Sequence, residues 1–203
     1  MIFEDRTEAG KLLSEKLKKY RADLVLAIPR GGLEVGFEIA KILGIKLDIV
    51  VTKKIGAPHN EELAVGAVGL KSVFLNEDVI SMFGISKDFV KEQTKRLRKE
   101  IEEKYKKYGA GKADLKDKNV IITDDGVATG ATMTAAVQYV KTQKPKKIIV
   151  AVPVCSQDIL DKLEELAEVV CLSTELYMGA VGACYKYFPQ VSDEQAVKYL
   201  GNK

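Results

Sequence analysis

Two adjacent carboxylates, Asp124 and Asp125, stand where an apolar run gives way to small and hydroxylic residues. The stretch from Asn119 to Met133 reads NVIITDDGVATGATM. Val120 to Thr123 has the pattern of a buried strand, and Gly126, Val127, Ala128, Thr129, Gly130, Ala131 and Thr132 form a tight loop before a helical pattern resumes at Met133. Small side chains let backbone N–H groups approach an anion closely, and Gly126 and Gly130 can adopt the positive φ angles that such a turn needs. The first amides of the following helix have no intrahelical partner, and the helix dipole favours negative charge there. A phosphate would therefore sit well on this loop, with the hydroxyls of Thr129 and Thr132 as further donors. The two acids suit a different task. They repel phosphate, but they accept hydrogen bonds from sugar hydroxyls and can hold a hydrated Mg²⁺. A loop that takes phosphate at one end and a diol at the other fits a ribose 5-phosphate. The competing reading is an ordinary strand-to-helix turn with Asp as a cap, but two carboxylates at the end of a buried strand are costly without a task. The loop is not a Walker P-loop, since no Gly-Lys-Ser/Thr closes it, and it is not G-x-G-x-x-G.

These residues need a scaffold, and the flanking pattern supplies one. Residues 7–20 read as an amphipathic helix with Leu12, Leu13, Leu17 and Tyr20 on one face. Asp23 to Pro29 is a short apolar strand, a helix runs from about Leu33 to a stop at Gly44, and Leu47 to Thr52 is the next buried strand. Beyond the central loop come a helix over 130–142, a core strand from Ile148 to Val154, a helix starting after a Ser156 cap, and a last strand from Glu168 to Leu172. Strand, loop, helix and strand in repetition predict an α/β fold: an open parallel sheet with helices on both faces. Ser86 to Tyr108 is the longest helical pattern, with Val90, Leu97, Ile101, Tyr105 and Tyr108 as its stripe. Glu92/Arg96, Glu100/Lys104, Glu102/Lys106 and Glu103/Lys107 have ion-pair spacing on its outer faces. Because acids interleave with the bases, this helix reads as solvated rather than as a nucleic-acid reader.

A second loop with chemical potential is Pro29-Arg30-Gly31-Gly32, at a strand's carboxyl end just before a helix. Ligands favour that position in open α/β sheets, and Arg30 flanked by glycines offers guanidinium and backbone donors to an oxyanion. Lys53 and Lys54 end the next strand, and the stretch through Gly69 combines glycines, Pro58 and polar residues, so it reads as a mobile loop. His59 is the only histidine; beside Glu61 and Glu62 it could serve acid–base chemistry or simply be an exposed loop residue. In the tail, Tyr177, Tyr185, Tyr187 and Phe188 offer flat faces to an aromatic ligand or a local core, and Ser192 and Gln195 have capping-box spacing.

Composition narrows the classes. The chain has 203 residues, 46% of them hydrophobic, which suits one sizeable domain. A net charge of +3 does not call for nucleic acid or an acidic membrane surface. Cys155, Cys171 and Cys184 have no metal-ligand spacing and read as reduced thiols of a cytoplasmic protein. The charged N-terminus has no apolar signal region, and no apolar run is long enough to span a bilayer.

The segment VIITDDGVATGATM resembles the 5-phosphoribosyl-1-pyrophosphate (PRPP) signature of type I phosphoribosyltransferases. AIPRGGLEVG, KKIGAPHNEELAVGAVG and FPQVSDEQ extend the resemblance over most of the chain, to a group of phosphoribosyltransferases whose acceptor is unassigned. The resemblance implies one domain over 1–203, with a core at about 22–172 and a hood from about 1–21 and 173–203. It implies transfer of the phosphoribosyl group of PRPP to a nitrogen acceptor, expected to be a nucleobase, with release of pyrophosphate, as in nucleotide salvage. Residues 126–132 would bind the 5-phosphate. Arg30, Gly31, Gly32, Lys53 and Lys54 would bind pyrophosphate. Asp124 and Asp125 would hold the ribose, and catalysis would rest on these acids with Arg30, Lys53 and Lys54. Mg²⁺ is the implied cofactor, carried by PRPP and water with Asp124 and Asp125 as candidate ligands. Residues 53–69 correspond to the family's flexible catalytic loop, and a homodimer is compatible. One departure is informative: 6-oxopurine enzymes carry Asp where this chain has Ala128, so the loop looks more like that of adenine or uracil enzymes. Two other readings on the same fold stay open, a PRPP-sensing nucleic-acid-binding regulator and a PRPP hydrolase.

Overall fold

A computed structural model describes residues 1–111, 113–175 and 179–201. Its centre is a five-stranded parallel sheet in the order β2-β1-β6-β7-β8, built from β1 (Leu24–Ala27), β2 (Lys46–Ile49), β6 (Asn119–Thr123), β7 (Lys147–Ser156) and β8 (Glu168–Glu175). Strands covered on both faces need apolar residues throughout rather than in alternation. β1 is accordingly buried at every position, and β7 at every position after Lys147.

Helices cover both faces, as the strand–helix repetition predicts. On one, α1 (Arg6–Leu17) and α2 (Gly31–Leu43) pack Leu13, Leu17, Val35 and Ile39 onto Val25, Ile121, Ile149 and Val170. On the other, α5 (Ala131–Lys141) and α6 (Gln157–Glu164) pack Met133, Val137, Ile159 and Leu163 onto Leu26, Val120, Ile122 and Val150. Asp5 caps α1 through the amide of Glu8, and Gly44 ends α2 at φ 66°. Leu12 differs from expectation: at 41% exposed it lies off the buried face, and Ala9 and Gly10 take part in that face instead. Ser156 occupies the cap position of α6, yet its hydroxyl makes no capping hydrogen bond.

The main correction concerns residues 53–69. They form β3 (Lys53–Ala57) and β4 (Asn60–Val68), which join β5 (Val73–Leu75) in a three-stranded antiparallel sheet. Pro58 and His59 make the turn, with His59 at φ 62°. The physical reason is a set of apolar residues hidden among the glycines: Ile55 and Ala57 on one strand, Val65 and Val68 on the next, all buried. They pack on α4 (Lys87–Tyr108), whose Leu97, Ile101, Tyr105 and Tyr108 are buried as its stripe predicts. A short helix, α3 (Glu77–Met82), links the two.

The outer charges of α4 pair differently from the expected ladder. Arg96 bonds Gln93 and Glu100, Glu100 also takes Lys53, and Lys107 reaches Asp193. α7 (Asp193–Gly201) packs against α2 and α4, and Ser192 and Gln195 close the reciprocal capping box at 2.8 and 3.2 Å. Phe3 pairs with Tyr185 beside a short 3-10 turn, Val181–Cys184, bringing the first residues against the 181–186 segment. Cys155 and Cys171 are distant in sequence, but their Sγ atoms lie 3.5 Å apart as free thiols. Among the described residues, no helix is long and apolar enough to cross a membrane. Tyr177 and the side chain of Glu62 lie outside the described residues.

Candidate functional site

In this strand order the chain leaves β1 towards one edge and returns at β6 to build the other half. The carboxyl ends of β1 and β6 are therefore adjacent at a topological switch point, where open α/β sheets form ligand crevices. The loops after these two strands are Pro29–Gly32 and Asp124–Gly130.

They meet closely. Ile28 donates its N–H to the Thr123 carbonyl at 2.9 Å, which continues the strand pairing to the start of both loops. The Pro29–Arg30 peptide is cis. Gly31 and Gly32 open α2 directly against the acids. A side-chain carbon at Gly31 would strike the Asp125 carboxylate, and one at Gly32 would lie 2.9 Å from Asp124 Cα. These glycines are required by the approach of one loop to the other.

The acids sit in unlike surroundings. Asp124 is half-buried, and its Oδ1 accepts from the Asp125 amide at 2.8 Å. Enclosure by the surrounding protein, with the Asp125 charge added, pushes its carboxyl well above the ordinary carboxylate range. Asp125 lies beside Arg6, with Nε to Oδ2 at 2.8 Å, and its carbonyl accepts from the Tyr185 hydroxyl at 2.5 Å. Burial raises the Tyr185 phenol, so it serves as a donor.

The rest of the small-residue loop divides in two. Gly126 lies against Val154 and Val181, and Val127 is buried with its N–H given to the Val154 carbonyl at 2.9 Å. That amide is spent on β7. Beyond it, Ala128 is half-buried and Thr129, Ala131 and Thr132 are exposed. Gly130 takes φ 77° with Ile159 behind it, and α5 begins there without a side-chain cap. Thr129, Ala131 and Thr132 thus lie exposed around a buried Gly130, where the first amides of a helix have no intrahelical acceptor and its dipole favours negative charge.

The cations are placed apart. Arg30 is about one-third exposed, with Nη1 3.7 Å from Asp193, which also takes Lys107 at 2.6 Å and the Tyr108 hydroxyl at 2.7 Å. The Lys107 and Tyr108 hydrogen bonds hold the Asp193 carboxyl low, while burial and then Asp193 push the Tyr108 phenol up to about 12. Lys53 is paired with Glu100. Lys54 lines a polar recess of about 340 Å³ between the hairpin and α4, with exposed His59 and Glu61 at its margin. The structure therefore joins the Pro29–Gly32 loop to the acid loop and turns both lysines towards α4.

Sequence reasoning missed Arg6, Tyr185 in its hydroxyl role, and Asp193. Arg6 lies 119 residues from Asp125, and no local pattern links them. The one available signal is a basic residue opening a helix among acids, EDRTE.

Residues 5–186 match the family model described as "Phosphoribosyl transferase domain". A Mycobacterium tuberculosis protein named "Putative phosphoribosyl transferase Rv0571c" is 37% identical over 98% of this chain; the chain spans 46% of that relative's length. The crystal structure of TT1426 from Thermus thermophilus is 39% identical and superposes with a TM-score of 0.93 over 98% of each chain. The AQ2163 protein from Aquifex aeolicus, 16% identical, shares the fold with a TM-score of 0.53 over 87% of this chain and 76% of its own.

Proposed function

The chain belongs to the phosphoribosyl transferase domain family, and from that premise we propose that it moves the 5-phosphoribosyl group of PRPP to a nitrogen acceptor, a nucleobase, releasing pyrophosphate. The observation that carries this reading is the meeting of two loops at the switch point, Gly31 and Gly32 against Asp124 and Asp125. One offers donors to a leaving pyrophosphate and the other offers acceptors to a ribose diol beside an anion-binding turn.

The division of labour follows from the surroundings. The amides and hydroxyls from Thr129 to Thr132 hold the 5-phosphate, and Ala128 bounds the sugar. Asp124 and Asp125 accept from the ribose hydroxyls and face the positive charge that develops at C1 as the glycosidic bond weakens. Arg30 and the Gly31–Gly32 amides stabilise the negative charge growing on pyrophosphate. Arg30 exchanges Asp193 for pyrophosphate, and Lys53 exchanges Glu100; both ion pairs are partly exposed, so little is lost in giving them up. Movement of the 53–69 hairpin over the ligand would exclude water, the competing nucleophile.

Mg²⁺ fits as a cation carried by the substrate. Among the described residues there is no cluster of three or more His, Cys, Asp and Glu side chains able to hold a metal ion, but Mg²⁺ typically takes one or two carboxylates with substrate phosphates and waters. Asp124 and Asp125 would supply those carboxylates, and the ion would supply charge neutralisation at pyrophosphate.

Incubation with PRPP, Mg²⁺ and a panel of nucleobases tests the proposal. Pyrophosphate release that depends on one base is the expected result and names the acceptor. Release without any base would replace transfer by hydrolysis, and tight PRPP binding without turnover would replace it by sensing.

A further inference from the structure

Arg6 is more than nine-tenths buried, at 4% exposed, yet its guanidinium is spent beside the proposed ligand crevice. Its Nε is 2.8 Å from Asp125 Oδ2, its Nη1 is 2.8 Å from the Pro189 carbonyl, and its central carbon lies 3.6 Å from the centre of the Phe188 ring. Tyr185 stacks on Phe188 with ring centroids 4.8 Å apart and donates to the Asp125 carbonyl. One residue thus ties the start of α1, the 185–189 segment and the acid loop to a single point. A Gly31 side chain would press on the same spot, 3.2 Å from Arg6 Nε.

We infer that Arg6 is a positioning residue that sets Asp125 for the sugar. The inference rests on the phosphoribosyl reading above and deepens it. A rigid guanidinium bonded to Oδ2 and stacked on an aromatic face holds the Asp125 carboxylate by that oxygen, and Oδ1 is the atom this role assigns to a ribose hydroxyl. The same charge offsets repulsion between two adjacent acids that must both face one ring. A buried guanidinium needs a counter-ion whatever its role, and here the counter-ion is Asp125, with Pro189 and Phe188 taking the other sides of the group. That counter-ion is the acid that meets the ligand.

The test is ligand-selective binding. Wild type, Arg6→Ala and Arg6→Lys are titrated with Mg²⁺-PRPP, ribose 5-phosphate and inorganic pyrophosphate, with circular dichroism reporting folding. Arg6→Ala is expected to weaken PRPP and ribose 5-phosphate about tenfold and to leave pyrophosphate unchanged. Arg6→Lys keeps the charge without the planar fork and should recover part of the loss; it carries the test if the alanine variant does not fold. In an Asp125→Asn background, Arg6→Ala should add little further loss, since both act through one carboxylate. Equal loss of all three ligands, no loss of any, or full additivity with Asp125→Asn would overturn the role of Arg6. Failure of wild type to bind PRPP would instead overturn the parent reading, which separates the two failures.

Discussion

Asp124 and Asp125 are neighbours in sequence and opposites in environment. Asp125 has a guanidinium beside it, whereas Asp124 has the surrounding protein and a like charge, which raise its carboxyl. The sign of the consequence is fixed. Below the ordinary carboxylate pKa, native and unfolded chains both carry the proton and Asp124 costs nothing. As pH rises, the unfolded chain ionises first, so native stability falls until the raised native value is passed. Asp124→Asn should therefore raise the melting temperature by a few degrees at neutral pH, with the gain vanishing near pH 4, as scanning calorimetry at both pH values would show. A gain that persists in acid would mean another cause. Arg30 lends itself to a second test. Asp193 holds it by an exposed ion pair shared with Lys107. Asp193→Ala should strengthen pyrophosphate binding a few-fold, and weaker binding would show that Arg30 does not serve that anion.

At the scale of elements, the parallel strands and their helices were legible because each announces itself locally. Val120 to Thr123 is an unbroken buried run, Gly44 ends α2 at a positive φ, and the Ser192–Gln195 box forms as spaced. The β3–β4 hairpin was not legible. Its glycines and polar residues look like a loop, and only packing on α4 gathers Ile55, Ala57, Val65 and Val68 into one apolar cluster. The contact from Arg6 to Asp125 was hidden for a different reason: it exists only once α1 and the 185–189 segment converge on the acid loop. The hairpin's dependence on α4 predicts that Leu97→Ala, at a 5% exposed position beneath it, costs about 2–5 kcal/mol in urea unfolding. The same change should raise proteolysis between residues 53 and 69 before global unfolding. Unchanged stability would mean that the hairpin does not rest on that face.

At the scale of the molecule, the five-stranded sheet is a rigid frame that brings two loops, far apart in sequence, to one crevice at its carboxyl end. Arg30 and Lys53 are held by acidic partners they can leave, and the antiparallel hairpin that carries the lysines is a separate sheet from the frame. The frame therefore supplies a fixed floor for the sugar phosphate, and the cations and hairpin supply what gathers over it. The most direct measurement is calorimetric titration of Mg²⁺-PRPP into wild type, Asp125→Asn and Thr129→Ala, with melting temperatures recorded alongside. The account predicts saturable binding to wild type, weakened at least about tenfold in each variant, with the Thr129→Ala melting temperature within a few degrees of wild type and Asp125→Asn, which leaves Arg6 without its carboxylate, still folded at the titration temperature. Variants that bind PRPP as wild type does would contradict it.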